Sequence, residues 1–295
     1  MTNKVALLGA GAMGGAIGTR LLETGNQLQV FDIDKEKVAA LEALGGVAAA
    51  SAAQAAAASD FVITSLNSAK VVRLAVFGEH GAAEGAKPGT LIIDMSSIDP
   101  ESTKQLAADA EEKGLHWVDS PLSGGAPKAL IGELTLMAGG KTEDVERAHE
   151  VLQHVASNYT HMGPSGAGQT TKLINQVLCA LGFLAVAEAT QLAIDAGVDA
   201  AKIPAALKGG RADSALLQEY MPRYVDKDYR RTGRIDNMVK DLNGAQDLAR
   251  LNNTAMPLTA VCAEVHRMMT AAGLGGEDEA ALMEFFKGPN KENFS

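Results

Sequence analysis

The chain has 295 residues, 46% hydrophobic and 21% charged, with a formal net charge of −10. That length exceeds one typical core, so two domains are expected, and the composition matches no disordered or fibrous class. The acidic balance argues against a nucleic-acid or anionic-membrane partner, either of which calls for a basic face.

The first element is the apolar run 5–8, which reads as a buried parallel strand. GAGAMG follows at 9–14, with Gly9, Gly11 and Gly14 at the spacing of a phosphate-binding turn and Ala10, Ala12 and Met13 between them. Gly9 permits the tight turn, Gly11 lets the backbone approach a pyrophosphate, and Gly14 lets the ensuing helix pack closely on the strand. A second apolar run, 28–31, ends in Asp32, where a carboxylate accepts both hydroxyls of a ribose. Taken alone the glycines fit an ordinary turn; strand, helix and acid in sequence specify a dinucleotide site. Asp32 repels a 2′-phosphate, which favours NAD, while Lys35 and Lys37 keep NADP open.

Residues 48–58 are Ala-rich and read as a helix with its connection, without function. Runs 61–66 and 91–95 are bounded by turn residues and read as further strands, completing a doubly wound parallel sheet. Ligands bind such sheets at the carboxyl ends of strands, which nominates Leu66, Asn67, Ser96 and Ser97 as cofactor contacts. In the segment 119–129, Ser123, Gly124 and Gly125 offer a hydroxyl and successive backbone N–H groups to a carboxylate, with a plain glycine turn as the alternative. No metal site is expected, because His149 and His154 lack a third ligand-like partner.

At 163–168 a cluster of helix breakers marks the boundary between a domain over 1–164 and a helical domain over 165–295. A long helix is predicted over 169–197, apolar or small on every face across 177–187, and therefore expected to be buried all round. Its eleven-residue apolar middle is shorter than the ~20 residues of a membrane span. Lys172 stands near its start with Asn175 and Gln176 on the same face. A solvated lysine is the plain alternative; entry into a crevice would desolvate the ammonium and lower its pKa toward the range of proton transfer. Shorter amphipathic helices are predicted over 200–208, 214–224, 236–251 and 258–272. Lys240 sits on the third of these, four residues after Asp236, so a surface ion pair is its plain reading. The tail after Pro289 is expected to be mobile. Cys179 and Cys262 lie far apart in helical patterns and suggest no disulfide framework. With no charged and apolar leader before the first strand, the cytoplasm is the expected compartment.

Four motifs in this order, GAGAMG at 9–14, PLSGG at 121–125, GAGQTTK at 166–172 and Lys240-Asp241-Leu242, resemble those of the β-hydroxyacid dehydrogenase family over nearly the whole chain. The resemblance implies a Rossmann domain followed by an all-α domain joined through the long helix. It implies an NAD(P)-dependent oxidoreductase that interconverts a small 3-hydroxy acid and its semialdehyde. Lys172 would then be the acid/base, with Asn175 and Gln176 beside it. Ser123, Gly124 and Gly125 would hold the substrate carboxylate, Ser97 would meet the nicotinamide side, and Lys240 would close over cofactor and substrate.

Many members place asparagine where this chain has Gln176, so which amide orients the substrate stays open. Asn67 stands for a proline common there, and Leu122 for a valine. The stretches EGAKPGT, IDMSSI, TKLINQ and GRID point to tartronate semialdehyde, reduced to glycerate; 3-hydroxyisobutyrate, threonate, serine and succinic semialdehyde are the sibling substrates. A 6-phosphogluconate dehydrogenase would carry a longer helical half and a lysine-x-x-His-Asn pattern. An imine reductase of this fold usually lacks the lysine, as would a non-catalytic NAD-binding module. A homodimer or homotetramer is expected.

Overall fold

The computed structural model describes residues 2–287; the tail after Pro289 lies outside them. The chain divides into two compact units, residues 1–172 and 173–295.

Unit 1 alternates strands and helices: β1 (Lys4–Leu8), α1 (Ala12–Glu23), β2 (Gln27–Phe31), α2 (Lys35–Glu42), β3 (Val47–Ala48), α3 (Ala52–Ala57), β4 (Phe61–Thr64), α4 (Ala69–Phe77), α5 (Ala82–Gly85), β5 (Leu91–Asp94), α6 (Pro100–Glu112) and β6 (His116–Asp119). These six strands are parallel, in the order β3-β2-β1-β4-β5-β6. Their runs are continuously apolar because both faces are covered. Val5 and Leu7 of β1 enter one core cluster, and Ala6 and Leu8 enter the other. The chain winds outward from β1 in both directions, so the crevice above the carboxyl ends of β1 and β4 is the ligand-binding position of such sheets. β4 ends at Thr64 rather than at the predicted 66, which leaves Leu66 and Asn67 in the loop at that crevice.

The sheet then continues in a way the sequence did not announce. After β7 (Leu122–Ser123) and α7 (Gly125–Leu130), β8 (Leu134–Gly140) runs antiparallel to both β6 and β7. Helix α8 (Thr142–Leu152) returns the chain to β9 (Ala156–Gly163), parallel to β8. Helix α9 (Ala167–Asp195) follows the breaker cluster and runs across the unit division.

Unit 2 is helical, with α10 (Ile203–Leu207), α11 (Ala215–Asp226), α12 (Ile235–Leu251), α13 (Pro257–Met269) and α14 (Met283–Phe286). Its core gathers Ala180, Phe183 and Ala187 of α9 with Tyr220, Tyr224, Met238, Leu242 and Cys262. Here the expectation of a helix buried on every face fails. One stripe of α9 packs inward, while Ile174, Leu178 (66% exposed) and Leu192 (69%) face outward on the opposite side. The apolar window also runs past the predicted eleven residues. By length and composition α9 is long and apolar enough to cross a membrane, and 33% of its most apolar window is buried.

Candidate active site

The glycine turn is built by three different steric demands. Gly9 sits at φ +95°, and a Cβ there would lie 2.5 Å from the Ser65 carbonyl oxygen. A Cβ on Gly14 would lie 2.0 Å from the Gly9 carbonyl oxygen, so only glycine lets α1 approach the turn. Around Gly11 the situation is the reverse: a Cβ there would meet nothing within 4 Å, which leaves room for a pyrophosphate at the start of α1. Asp32 is drawn onto this turn: its carboxylate accepts from the Ala10 N–H at 2.7 Å and from the Asp34 N–H at 2.8 Å. Lys37 pairs with Asp34 at 3.0 Å, and Lys35 lies 6.0 Å from the centre of the Phe31 ring. These residues fit a dinucleotide whose ribose faces a fixed carboxylate.

At the adjoining strand ends the loops are tied together. The Leu66 N–H donates to Ser96 Oγ at 3.0 Å, and the Ser96 N–H and Thr64 hydroxyl donate to Asp94 Oδ1 at 3.0 and 2.7 Å. Asp94 Oδ2 is buried with no partner. A second buried carboxylate, Asp119, accepts from the N–H groups of Gly166 (2.8 Å), just before α9, and of Gln169 (3.0 Å) in its first turn. Burial pushes both carboxyls up to about 6. In Asp119, repulsion from Asp94 adds to that rise, against the two backbone donors that lower it.

Because the folded pKa of Asp94 lies above its ordinary 3.8, protonation at this site stabilises the fold in acid, and the contribution is lost as the pH rises through about 6. Asp94→Asn keeps the acceptor for Thr64 and Ser96 and removes the charge. It should therefore gain about 1–3 kcal/mol on the wild type at pH 8 and close to nothing at pH 4. Urea unfolding at the two values measures this, and a gap independent of pH would contradict it.

The expected substrate groups are distributed over both units. In unit 1, Ser123 ends β7 half-buried, and Gly124 and Gly125 take φ of +120° and +72° at the turn into α7. A Cβ on Gly124 would lie 2.9 Å from that of Lys128. Lys172 is half-buried, one turn beyond Gln169 on α9. In unit 2, Asn175 Nδ2 donates to Gln176 Oε1 at 2.9 Å, and Gln176 Nε2 donates to Asp241 Oδ2 at 2.7 Å. Lys240 is exposed and lies 3.7 Å from Asp241, while Asp236 is engaged by Arg234. Asp241 thus joins the amide pair of α9 to the lysine of α12. Its place within Lys240-Asp241-Leu242 was the one sequence signal for it and carried no role, just as Gln169 within GAGQTTK and Asp119 ahead of PLSGG carried none.

Known families match both halves of the chain. Residues 4–163 match the family model described as the NAD binding domain of 6-phosphogluconate dehydrogenase. Residues 166–286 match the one described as the NAD-binding region of NADP-dependent 3-hydroxyisobutyrate dehydrogenase. The chain is 37% identical to 3-sulfolactaldehyde reductase of Escherichia coli, covering 95% of this chain and 94% of that one. It is 34% identical to 2-hydroxy-3-oxopropionate reductase of the same organism, covering 95% and 96%. Among solved structures, the 3-hydroxyisobutyrate dehydrogenase of Mycobacterium tuberculosis, with L-serine, superposes with a TM-score of 0.89 at 29% identity, over 97% of this chain and 100% of that one. With both halves matched by family models and relatives matched from end to end, the chain belongs to the β-hydroxyacid dehydrogenase family of NAD(P)-dependent oxidoreductases.

Proposed function

We propose that this chain reduces tartronate semialdehyde to glycerate with NADH, using Lys172 as the general acid. The observation that carries this reading is the seating of Lys172 in the second turn of a helix whose first turn is fixed by Asp119. The glycine turn would hold the pyrophosphate of the cofactor, whose reduced nicotinamide, toward Ser97, would supply the hydride taken up by the aldehyde carbon. Lys172 Nζ donates a proton to the nascent alkoxide, and in the oxidative direction the neutral amine takes it back. The Ser123 hydroxyl and the N–H groups of Gly124 and Gly125 hold the substrate carboxylate. Asn175 and Gln176, oriented by Asp241, present an amide to the substrate, and Lys240 closes over substrate and cofactor. General acid–base help of this kind is worth about 10²–10⁴-fold.

Tartronate semialdehyde and 3-sulfolactaldehyde are both short hydroxyaldehydes with an anionic end, which makes a sulfonate the second reading, favoured by the 37% relative. Steady-state rates on both, with 3-hydroxyisobutyrate, threonate, serine and succinic semialdehyde beside them, test the assignment. The highest kcat/KM is expected for tartronate semialdehyde, and a tenfold higher value for any other member of the panel removes it.

NADH is the preferred cofactor because of the Asp32 carboxylate. Asp32→Ala should lower the ratio of kcat/KM with NADH to that with NADPH by about 10- to 100-fold, the value of a hydrogen bond to a charged group. An unchanged ratio would place cofactor choice elsewhere. The outward apolar residues of α9 and of α13, where Leu258, Val261 and Met268 are exposed, support a homodimer or homotetramer of the 30.6 kDa chain. Light scattering reads this directly. The cytoplasm is the compartment we assign.

A further inference from the structure

Gln169 is 1% exposed, and both ends of its amide are engaged. Nε2 donates to the Ser96 carbonyl at 2.7 Å, and Oε1 accepts from the Ile98 N–H at 3.3 Å. The two bonds bracket Ser97, the residue of the β5 loop expected at the nicotinamide side. On its own element, Gln169 lies three positions before Lys172, on the same face of α9. Its backbone N–H is held by Asp119, and Gly139 and Gly168 close around that carboxylate so tightly that a Cβ on either would lie 2.7 Å from an Asp119 oxygen. Helix start and loop are therefore joined by a pincer that needs a donor and an acceptor in one side chain. Among neutral residues of that length, only glutamine supplies both.

We infer that Gln169 is a positioning residue, fixing the Ser96–Ile98 backbone against the helix turn that carries Lys172 so that proton donor and nicotinamide loop keep one register. This rests on Lys172 being the general acid. The register matters because a displacement of about 1 Å between reacting groups costs on the order of 10²-fold in rate. The pincer leaves the glycine turn and Asp32, which hold the other end of the cofactor, untouched.

A double-mutant cycle with Lys172→Ala separates positioning from general damage, since residues acting as a unit are not additive. Gln169→Met keeps the length and removes both polar groups. It should lower kcat about 10- to 100-fold in the presence of Lys172 and less than about twofold in the Lys172→Ala background, with the NADH dissociation constant within about threefold of wild type in both. The same factor in both backgrounds, or a loss of NADH affinity equal to the loss in kcat, would overturn the inference while leaving the lysine assignment standing. Retained turnover in Lys172→Ala alone would overturn both. Gln169→Asn, which keeps the amide one methylene shorter, runs through the same cycle if the methionine variant fails to fold. Its loss should be smaller than that of methionine and equally dependent on Lys172.

Discussion

Lys172→Ala should lower kcat at least about a hundredfold while the NADH dissociation constant stays within about threefold of wild type. The separation follows from where the groups are held. The residues we propose for cofactor recognition, Gly9, Gly11, Gly14 and Asp32, belong to the turn after β1 and the end of β2, whereas Lys172 sits on α9 in a turn fixed through Asp119. Lys172→Arg separates charge from proton transfer. Guanidinium keeps the charge but does not deprotonate in proteins, so it can neither give up the proton in reduction nor take it back in oxidation, and both directions should fall about as far as in the alanine variant. Stopped-flow rates in both directions and fluorescence titration with NADH supply the measurements. Turnover near wild type in the alanine variant would remove the lysine from the chemistry.

Asp278→Ala should be the most destabilising single change in unit 2, by about 3–5 kcal/mol at pH 7. Asp278 is fully buried and accepts from Arg223 (2.9 Å), the Thr232 hydroxyl (2.9 Å) and the N–H groups of Gly233 and Ala280 (both 3.0 Å). Its loss takes from Arg223, 5% exposed and stacked 4.6 Å from the Tyr220 ring, its fully buried counter-charge, leaving the half-buried Asp228 at 3.8 Å. Burial pushes the Asp278 carboxyl up, but the N–H groups of Ala280, Gly233 and Thr232 outweigh it and hold the group below its ordinary 3.8. A lowered folded pKa gives stability that is present above the unfolded value and is lost as the pH falls through the folded one. The gap between wild type and variant should therefore narrow below about pH 4. Unfolding of unit 2 is read through the tyrosine signal of Tyr220, Tyr224 and Tyr229 in a Tyr159→Phe background, which removes the one tyrosine of unit 1, with Trp117 as the reporter of unit 1. A gap under about 1 kcal/mol at pH 7 would show the cluster to be dispensable.

The glycine turn was legible because its geometry is local. A turn over six residues, followed by a helix and a second strand ending in an acid, fixes geometry through bonded neighbours, and the steric demands at Gly9 and Gly14 match the reason for each glycine. Helices α10 to α13 of unit 2 were legible for the same reason, their boundaries falling within a few residues of the predicted ranges, whereas α14 matches none of those ranges. The antiparallel extension through β7 and β8 was not, since β7 is two residues long and its pairing depends on a partner beyond α7. Helix α9 was misjudged for a related reason. An apolar composition on all faces says that burial is favourable, but not which stripe this chain covers and which it leaves outward.

Residue order alone determined the alternation of strand and helix, the dinucleotide turn with Asp32, the break before α9 and the four motifs of the family, all of which depend on spacing along a few turns or strands. The tertiary structure decided which polar groups meet. Asp119 holds Gly166 across 47 positions, Gln169 holds Ser96 across 73, and Gln176 holds Asp241 across 65. Hydrogen bonds act over about 3 Å, and nothing in the spacing of residues so far apart encodes a distance of that size; only the packing of sheet and helices brings them within reach.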